Sequence, residues 1–234
     1  MLWSKWQSCC LALTLLCGVA VAQDASSSGS SLEHILNRMD SESANFHSAE
    51  ANFQWDQFQR VVEETDTQKG KIYFRRVGND TQMVADITQP EPKYVLYEEG
   101  KVQWYQPRID QVTVYDASKS RQDVGTFLLL GFGGGGHELL KSFDVKFLGN
   151  EKLGDVNTAK LDLTPKAANI RNHVEHIVLW VDPNLGVSVQ QQLFQPGGDY
   201  RLAKYSDIRL NQKISDNIFK LKTTGKTKFV SPQG

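Results

Sequence analysis

Residues 70–116 contain five short runs of β-branched and aromatic residues, and this pattern constrains the fold more than any other feature of the chain. Turn residues separate the runs: Gly78-Asn79-Asp80, Pro90-Glu91-Pro92, Glu99-Gly100-Lys101 and Pro107-Arg108-Ile109-Asp110. Runs of this kind are typical of strands in an antiparallel meander. Few of these side chains suit bond-making chemistry, whereas many suit an apolar surface. The sequence therefore predicts an antiparallel sheet with a large apolar surface, and the first question is what covers that surface.

The first 22 residues have the composition of a secretory signal peptide. Lys5 precedes an apolar run at 9–21, and Ala20-Val21-Ala22 supplies the small residues that signal peptidase needs. The run is shorter than the roughly 20 apolar residues that span a bilayer. Lipidation at Cys17 is disfavoured because no small residue precedes it. We expect export to the periplasm, cleavage after Ala22, a flexible leader at 23–30 and a single domain at 31–234.

All three cysteines lie within that signal, at Cys9, Cys10 and Cys17. The secreted chain is therefore predicted to lack disulfides, thiolate metal sites and a cysteine nucleophile. The formal net charge of the whole chain is -1, so no basic field favours nucleic acid or anionic lipid headgroups. Its length is sufficient for one domain with a sizeable core.

Two segments have helical patterns. Ser30 and Glu33 form a capping-box pattern, and apolar residues then recur with helical spacing, which predicts a helix near 31–45. A second helical segment is predicted near 120–143, interrupted by glycines at 131–136 that we interpret as a hinge. Strands resume after it, up to residue 211. These two helical segments are too short to cover a sheet of about ten strands. The sheet therefore either curls into a barrel or leaves an apolar area that another molecule covers.

The last long strand alternates along residues 200–211. Leu202, Ile208 and Leu210 would lie on one face, and Ala203 and Tyr205 on the other. This alternation predicts a sheet with one solvated face.

Seven short motifs follow one another in the order found in one protein family. They occupy residues 69–76, Pro90, residues 99–107, residues 111–114, residues 161–165, residues 179–182, and residues 216–219 with Gly225 and Val230. In this order the chain resembles the periplasmic lipoprotein carriers of the LolA family. The resemblance spans most of the secreted chain.

The resemblance implies a mainly β fold with some helix: an incomplete, unclosed antiparallel β-barrel covered by a short helical lid around an apolar cavity. It also implies a carrier that binds lipoprotein acyl chains and takes them from the inner to the outer membrane. Lipidated proteins would be the cargo, an inner-membrane ATP-driven transporter the donor, and an outer-membrane receptor the acceptor. We expect a monomer that does not insert stably into the membrane.

Candidate cavity and lid residues follow from the same resemblance and from the apolar pattern. For any single position, ordinary core packing is an equal alternative, so the prediction concerns the set. The candidates are Leu32, Ile35, Leu36, Phe53, Phe74, Met83, Ile87, Trp104, Val124, Phe127, Leu128, Leu130, Leu139 and Leu140.

The chain departs from the family at the residue that latches the lid. Where better-known carriers have an F-R-W-like triplet whose arginine bonds to lid backbone, this chain has Thr81-Gln82-Met83. Gln82 could donate a hydrogen bond, but a charge-assisted bond is about twice as strong. Arg75 and Arg76 are the alternative candidates for the latch.

Other motifs give weaker indications. Residues 131–136 satisfy G-x-G-x-x-G but lie in no βαβ unit, and His173 and His176 are spaced to face opposite sides of a strand, which prevents chelation. We predict no cofactor, no metal site and no catalytic residue. A secreted hydrolase using Asp182 and Asp207 remains an alternative, although Asp182 also suits a turn.

The principal alternative is a periplasmic sensor of lipid or lipoprotein that regulates a membrane partner. Such sensors use an additional domain, which we do not expect in a chain that ends soon after Val230.

Overall fold

The computed structural model describes residues 23–78, 80–116 and 130–232, with side chains described from residue 31. Three helices lie in these ranges: α1 Gln23–Asn45, α2 Gly136–Ser142 and α3 Ala168–Arg171. The strands are β1 Ser48–Gln59, β2 Glu64–Val77, β3 Asp80–Gln89, β4 Lys93–Glu98, β5 Lys101–Gln106, β6 Gln111–Asp116, β7 Phe143–Leu153, β8 Val156–Pro165, β9 His176–Asp182, β10 Val187–Phe194, β11 Tyr200–Leu210 and β12 Lys228–Val230.

The twelve strands in the described ranges form one sheet in the order β12-β6-β5-β4-β3-β2-β1-β11-β10-β9-β8-β7. Neighbours are antiparallel except β12, which pairs in parallel with β6. Strands β12 and β7 are the two edges, so the sheet does not close on itself. The predicted mainly β fold, an unclosed antiparallel β-barrel with a helix, is confirmed, with twelve strands where the sequence suggested about ten.

Helix α1 packs on the concave face of the sheet, over β7, β8 and β9. Ile35 and Met39 are buried there against Leu161, Leu163 and Leu179. Each fully buried side chain of this size stabilises the fold by about 1.5–3 kcal/mol. Hydrophobic burial therefore fixes α1 to one half of the sheet. Within the described ranges, none of the helices is long and apolar enough to span a bilayer.

Helix α1 begins at Gln23, although the capping pattern predicted a start near residue 31 and a flexible leader before it. The Ser30–Glu33 pattern therefore lies inside the helix. Serine and glycine are poor helix formers, but each costs at most about 1 kcal/mol relative to alanine, so propensity alone does not end a helix.

A second core lies under the glycine-rich turn at 130–135, which precedes α2. Phe132 stacks on Phe74 with 5.2 Å between ring centroids, and Phe46 is fully buried beside them. Gly133 has φ of +73°, and a Cβ there would lie 2.5 Å from a Phe46 ring carbon. These glycines, interpreted from sequence as a hinge, thus allow close packing of backbone against aromatic rings. We call α1, residues 130–135 and α2 the lid.

The convex face is crossed by the chain after β11, on its way to β12. Phe219, in a short 3₁₀ helix at Asp216–Phe219, is buried against Val84 and Leu96. The guanidinium of Arg75 stacks 4.0 Å from the Phe219 ring centroid. This segment therefore packs on β2, β3 and β4 before it reaches the edge strand β12.

Strand β11 does not alternate as the sequence predicted. Two of its residues oppose the single residue Ala51 of β1, and Asp207 has φ of +52° at this bulge. One extra residue reverses the faces beyond it. Ile208 therefore packs in the same core as Tyr205, where simple alternation placed them on opposite faces.

Candidate functional site

A cavity of about 220 Å³ lies on the concave face, where β1, β2 and β3 meet β9, β10 and β11 beneath the lid. Its walls are mainly apolar and aromatic, with three polar side chains among them. The lining residues are Trp55, Ile72, Phe74, Met83, Leu130, Ile177, Gln191, Leu193, Arg201, Ala203 and Tyr205. A mostly apolar cavity with a few convergent polar groups is the usual form of a small-molecule site.

Three of the predicted cavity residues line this cavity: Phe74, Met83 and Leu130. Phe53 and Ile87 are buried in the adjoining core cluster. The other described candidates do not line the cavity. Within the lid, the core over β7–β9 includes Leu32, Ile35 and Leu139, and Leu36 is buried where the backbone of α2 meets α1. Two side chains are half-buried: Leu140 on α2 and Trp104 on β5. Val124, Phe127 and Leu128 lie outside the described residues.

Sequence reasoning missed eight lining residues, and cross-strand pairing explains why. Trp55 pairs with Ala203, and Ala203 pairs with Gln191. Alternation could have identified Trp55 from Phe53 and Ile72 from Phe74, because each pair is two residues apart. The contribution of β9, β10 and β11 depends on a pairing with β1 that spans about 150 positions of sequence, as for Trp55 and Ala203, and is not visible as a local pattern.

Three polar side chains line the cavity at different points: Gln191, Arg201 and Tyr205. Burial raises the pKa of the Tyr205 hydroxyl to about 12, while a hydrogen bond with Trp55 opposes the increase, so Tyr205 is a neutral group at pH 7. The amide of Gln191 donates to the backbone carbonyl of Leu130, which joins the sheet to the lid. The Nε of Arg201 donates to Gln57 Oε1 at 3.1 Å.

Among the three candidate latch residues, Arg76 contacts the lid. Its Nη1 donates to the Ser43 carbonyl at 3.1 Å and its Nη2 to the Gly133 carbonyl at 3.2 Å. The Ser43 hydroxyl also donates to the Gly133 carbonyl, at 2.7 Å. Arg76 therefore connects strand β2 to the end of α1 and to the glycine-rich turn by charge-assisted bonds.

Arg75 and Gln82 lie on the convex face. Arg75 Nε donates to Gln82 Oε1 at 2.5 Å, and Arg75 also pairs with Asp216. Gln82 Nε2 donates to Glu98 Oε1 at 2.9 Å. Both side chains therefore anchor the C-terminal segment and neighbouring strands.

His137 joins the two helices of the lid. Its Nδ1 contacts Asp40 Oδ2, its Nε2 lies 3.1 Å from Glu33 Oε1, and its backbone N–H donates to Asp40 Oδ1 at 3.1 Å. The hydrogen bond with Asp40 is the main cause that raises the pKa of His137 above its usual value. Both ring nitrogens thus face carboxylates of α1.

We expect the attachment of α2 to α1 to weaken at alkaline pH. Because the folded-state pKa of His137 is raised, its stabilising contribution is fully present below about pH 6.5, the unfolded value, and is lost as pH rises through the folded pKa. The fall in Tm of the unmodified protein between about pH 6 and about pH 9 should be reduced in His137→Gln. His34→Gln, at an exposed position of α1, is the control. An equal fall in Tm for His137→Gln and the unmodified protein would contradict this role.

The acidic residues considered for catalysis have structural partners. Asp182 Oδ1 accepts from the backbone N–H of Asn184 at 2.8 Å, which forms the turn that the sequence suggested, and Asp207 accepts from Asn52 at 2.6 Å. His176 Nδ1 contacts Asp162 at 2.6 Å. In the part of the chain that the structure describes, no group of three His, Cys, Asp or Glu residues could hold a metal ion.

Residues 44–222 match the protein family described as outer membrane lipoprotein carrier protein LolA. No curated protein sequence matches the chain significantly.

Among the solved structures that match the chain at low sequence identity, two with a TM-score above 0.5 share the fold. An uncharacterized conserved protein from Thermus thermophilus is 12% identical, with a TM-score of 0.53, and the match covers 86% of this chain and 99% of that chain. MucB is 13% identical with a TM-score of 0.52, covering 82% of this chain and 63% of MucB, so the chain spans less than two thirds of MucB. An outer membrane lipoprotein-sorting protein domain from Vibrio parahaemolyticus is 15% identical with a TM-score of 0.44, covering 80% and 97%.

Proposed function

Because the chain belongs to the LolA family of outer membrane lipoprotein carrier proteins, we propose that it binds the acyl chains of lipoproteins and carries them through the periplasm from the inner to the outer membrane. The observation that supports this proposal most directly is the cavity of about 220 Å³ with mainly apolar walls beneath the lid. The apolar segment at 9–21 supports export with cleavage after Ala22.

The energetics of transfer require an apolar binding site. Moving each methylene out of a bilayer costs about 0.8 kcal/mol of free energy unless another apolar surface replaces the lipid. A cavity lined by Ile72, Met83 and Leu193 provides such a surface. The sequence contains no P-loop motif, so the work of extraction is assigned to an ATP-driven transporter in the inner membrane, and an outer-membrane receptor takes the cargo.

Binding of matched peptides tests this function. We expect a peptide with an acylated N-terminal cysteine to bind the protein and the same peptide without acyl chains to show no measurable affinity, because the acyl chain supplies the apolar area. Isothermal titration below the micellar concentration of the lipopeptide measures both. Equal affinity for the two peptides would exclude the carrier function.

Arg76 is proposed as the latch of the closed lid. In Arg76→Met, the bonds to the Ser43 and Gly133 carbonyls are lost while the aliphatic part of the side chain is retained. Each bond to a charged group contributes about 1.5–3 kcal/mol, so amide hydrogen exchange in residues 130–142 should become at least about tenfold faster.

Arg75→Met is the matched control, because Arg75 lies on the convex face next to Gln82 and Asp216. It should leave exchange in the lid unchanged. Equal acceleration by both substitutions would indicate general destabilisation and would contradict the latch.

The second candidate function is a lipid or lipoprotein sensor that regulates a membrane partner. The reason to consider a sensor is that the fold is similar to that of MucB, and a structure of the Pseudomonas aeruginosa MucA/MucB complex shows MucB with a partner. A pulldown from envelope extract separates the two functions. Recovery of many lipoproteins supports the carrier, and recovery of one membrane protein supports the sensor.

A further inference from the structure

Arg201 is the one charged side chain among the described residues that line the cavity. It lies on β11 opposite Gln57 of β1 and Leu193 of β10, and the residue is exposed at the mouth of the cavity. The hydrogen bond from its Nε to Gln57 Oε1, at 3.1 Å, involves a neutral acceptor. A permanent positive charge thus stands at the entrance of an otherwise apolar site.

The other cations of β11 have carboxylate partners. Lys204 Nζ lies 3.6 Å from Asp56 Oδ2, and Arg209 Nη1 lies 3.9 Å from Glu50 Oε1. Within the described ranges, no carboxylate lies within salt-bridge distance of Arg201. The cation that faces the cavity therefore differs from the cations of the convex face by lacking a counter-charge.

The surroundings leave the charge of Arg201 available to a ligand. The side chain lines the cavity wall, where partial desolvation lowers its pKa from the usual value, while the residue as a whole is exposed. An arginine stays protonated at neutral pH. Because an exposed guanidinium keeps much of its hydration, the lack of a counter-charge costs little in the free protein. A bound anion would supply that counter-charge, and the planar guanidinium matches the two oxygens of a carboxylate or phosphate.

We propose that Arg201 binds the anionic head of an amphiphile whose acyl chain fills the cavity. The site would then take a free fatty acid or an anionic phospholipid in addition to acylated proteins. This differs from the lipoprotein cargo, because the ester, amide and thioether groups of an acylated N-terminal cysteine carry no negative charge. The inference rests on the proposed function only in requiring that the cavity accepts an acyl chain.

The test compares ligands that share one chain and differ in the head: palmitate, palmityl phosphate and uncharged hexadecanol. The two anions are used below their micellar concentrations and hexadecanol below its solubility limit. We expect the protein to bind at least one of the two anions about tenfold more tightly than hexadecanol, because a charge-assisted bond at the cavity mouth adds to the burial of the chain. A preference for palmitate indicates fatty acids as the natural source, and a preference for palmityl phosphate indicates phospholipids.

Substitutions at Arg201 assign the preference to this residue. Arg201→Met should abolish the preference for the anion and leave hexadecanol affinity within about twofold, whereas Arg201→Lys should retain a reduced preference. Lys204→Met, a cation of the same strand on the convex face, is the matched control and should retain the full preference.

Two outcomes would overturn the inference: equal affinity for all three ligands in the unmodified protein, or an undiminished preference in Arg201→Met. In either case, continued binding of the acylated peptide keeps the carrier function intact. Failure of the acylated peptide itself to bind overturns the carrier function, so the two failures can be distinguished.

Discussion

Ala203→Trp should lower the affinity for an acylated peptide by more than about a hundredfold. Ala203 lies on the concave face between Trp55 and Gln191, is 5% exposed, and its side chain borders the cavity. An indole at this position would occupy much of the cavity of about 220 Å³. Excluding about four methylenes of the ligand removes roughly 3 kcal/mol, which corresponds to more than a hundredfold in affinity. Fluorescence titration with the acylated peptide measures the loss.

Two further variants make this result interpretable. Ala168→Trp places the same side chain at an exposed position of α3 and should bind as the unmodified protein does. Ala203→Leu fills less of the cavity and should show an intermediate loss even if the tryptophan variant folds poorly. Normal affinity in a folded Ala203→Trp or Ala203→Leu protein would show that the acyl chain binds elsewhere.

Gly70→Ala should destabilise the protein by roughly 3 kcal/mol, which corresponds to a fall in Tm of about 10 °C. Gly70 lies where β2 shifts register against β3, opposite Ile87. A Cβ at this position would lie 2.0 Å from the Asp86 carbonyl oxygen. Backbone contacts this close leave no flexible side chain to move away, so the strands themselves must separate. Thermal unfolding followed by circular dichroism measures the shift.

Gly225→Ala is the matched control, because a Cβ at Gly225 would meet no atom within 4 Å. It should change Tm by less than about 2 °C. If Gly70→Ala were as stable as Gly225→Ala, the close approach of β2 to β3 at Asp86 would be wrong. The same glycine begins the strand motif by which the chain resembles its family, so this steric constraint gives a physical reason for the residue type.

Much of the fold could be predicted because its signals are local. The five short runs in residues 70–116 lie within strands β2 to β6, and the apolar spacing of Ile35 and Met39 identified the packed face of α1. These inferences needed only the periods of strands and helices. Phe74 on β2 and Met83 on β3 were candidates from the resemblance and the apolar pattern together, and both line the cavity.

The remaining features depend on contacts that are distant in sequence. The bulge at Asp207 arises from its pairing with β1, so alternation along β11 alone placed Ile208 on the wrong face. Gly133 could be interpreted as flexible until its packing against Phe46 was known. The contacts of Arg76 with the lid were not visible in the sequence either, because its partners Ser43 and Gly133 lie far from it in the chain.

The site itself was predicted only in part, for a physical reason. Lining residues such as Ala203 and Arg201 are unremarkable by residue type and acquire their role from the strand that faces them. A cavity is a property of the arrangement of several strands, whereas a sequence pattern reports the two faces of a single strand. The family resemblance predicted that a cavity exists, whereas the pairing of distant strands determines which residues line it.

Photo-crosslinking tests most directly whether the cavity beneath the lid holds the acyl chain. A lipopeptide with a diazirine near the end of its acyl chain is bound, irradiated and digested, and mass spectrometry locates the adducts. We predict adducts at Trp55, Met83 and Leu193, which line the cavity. Adducts confined to the convex face, near Val84 and Leu221, would contradict the central claim.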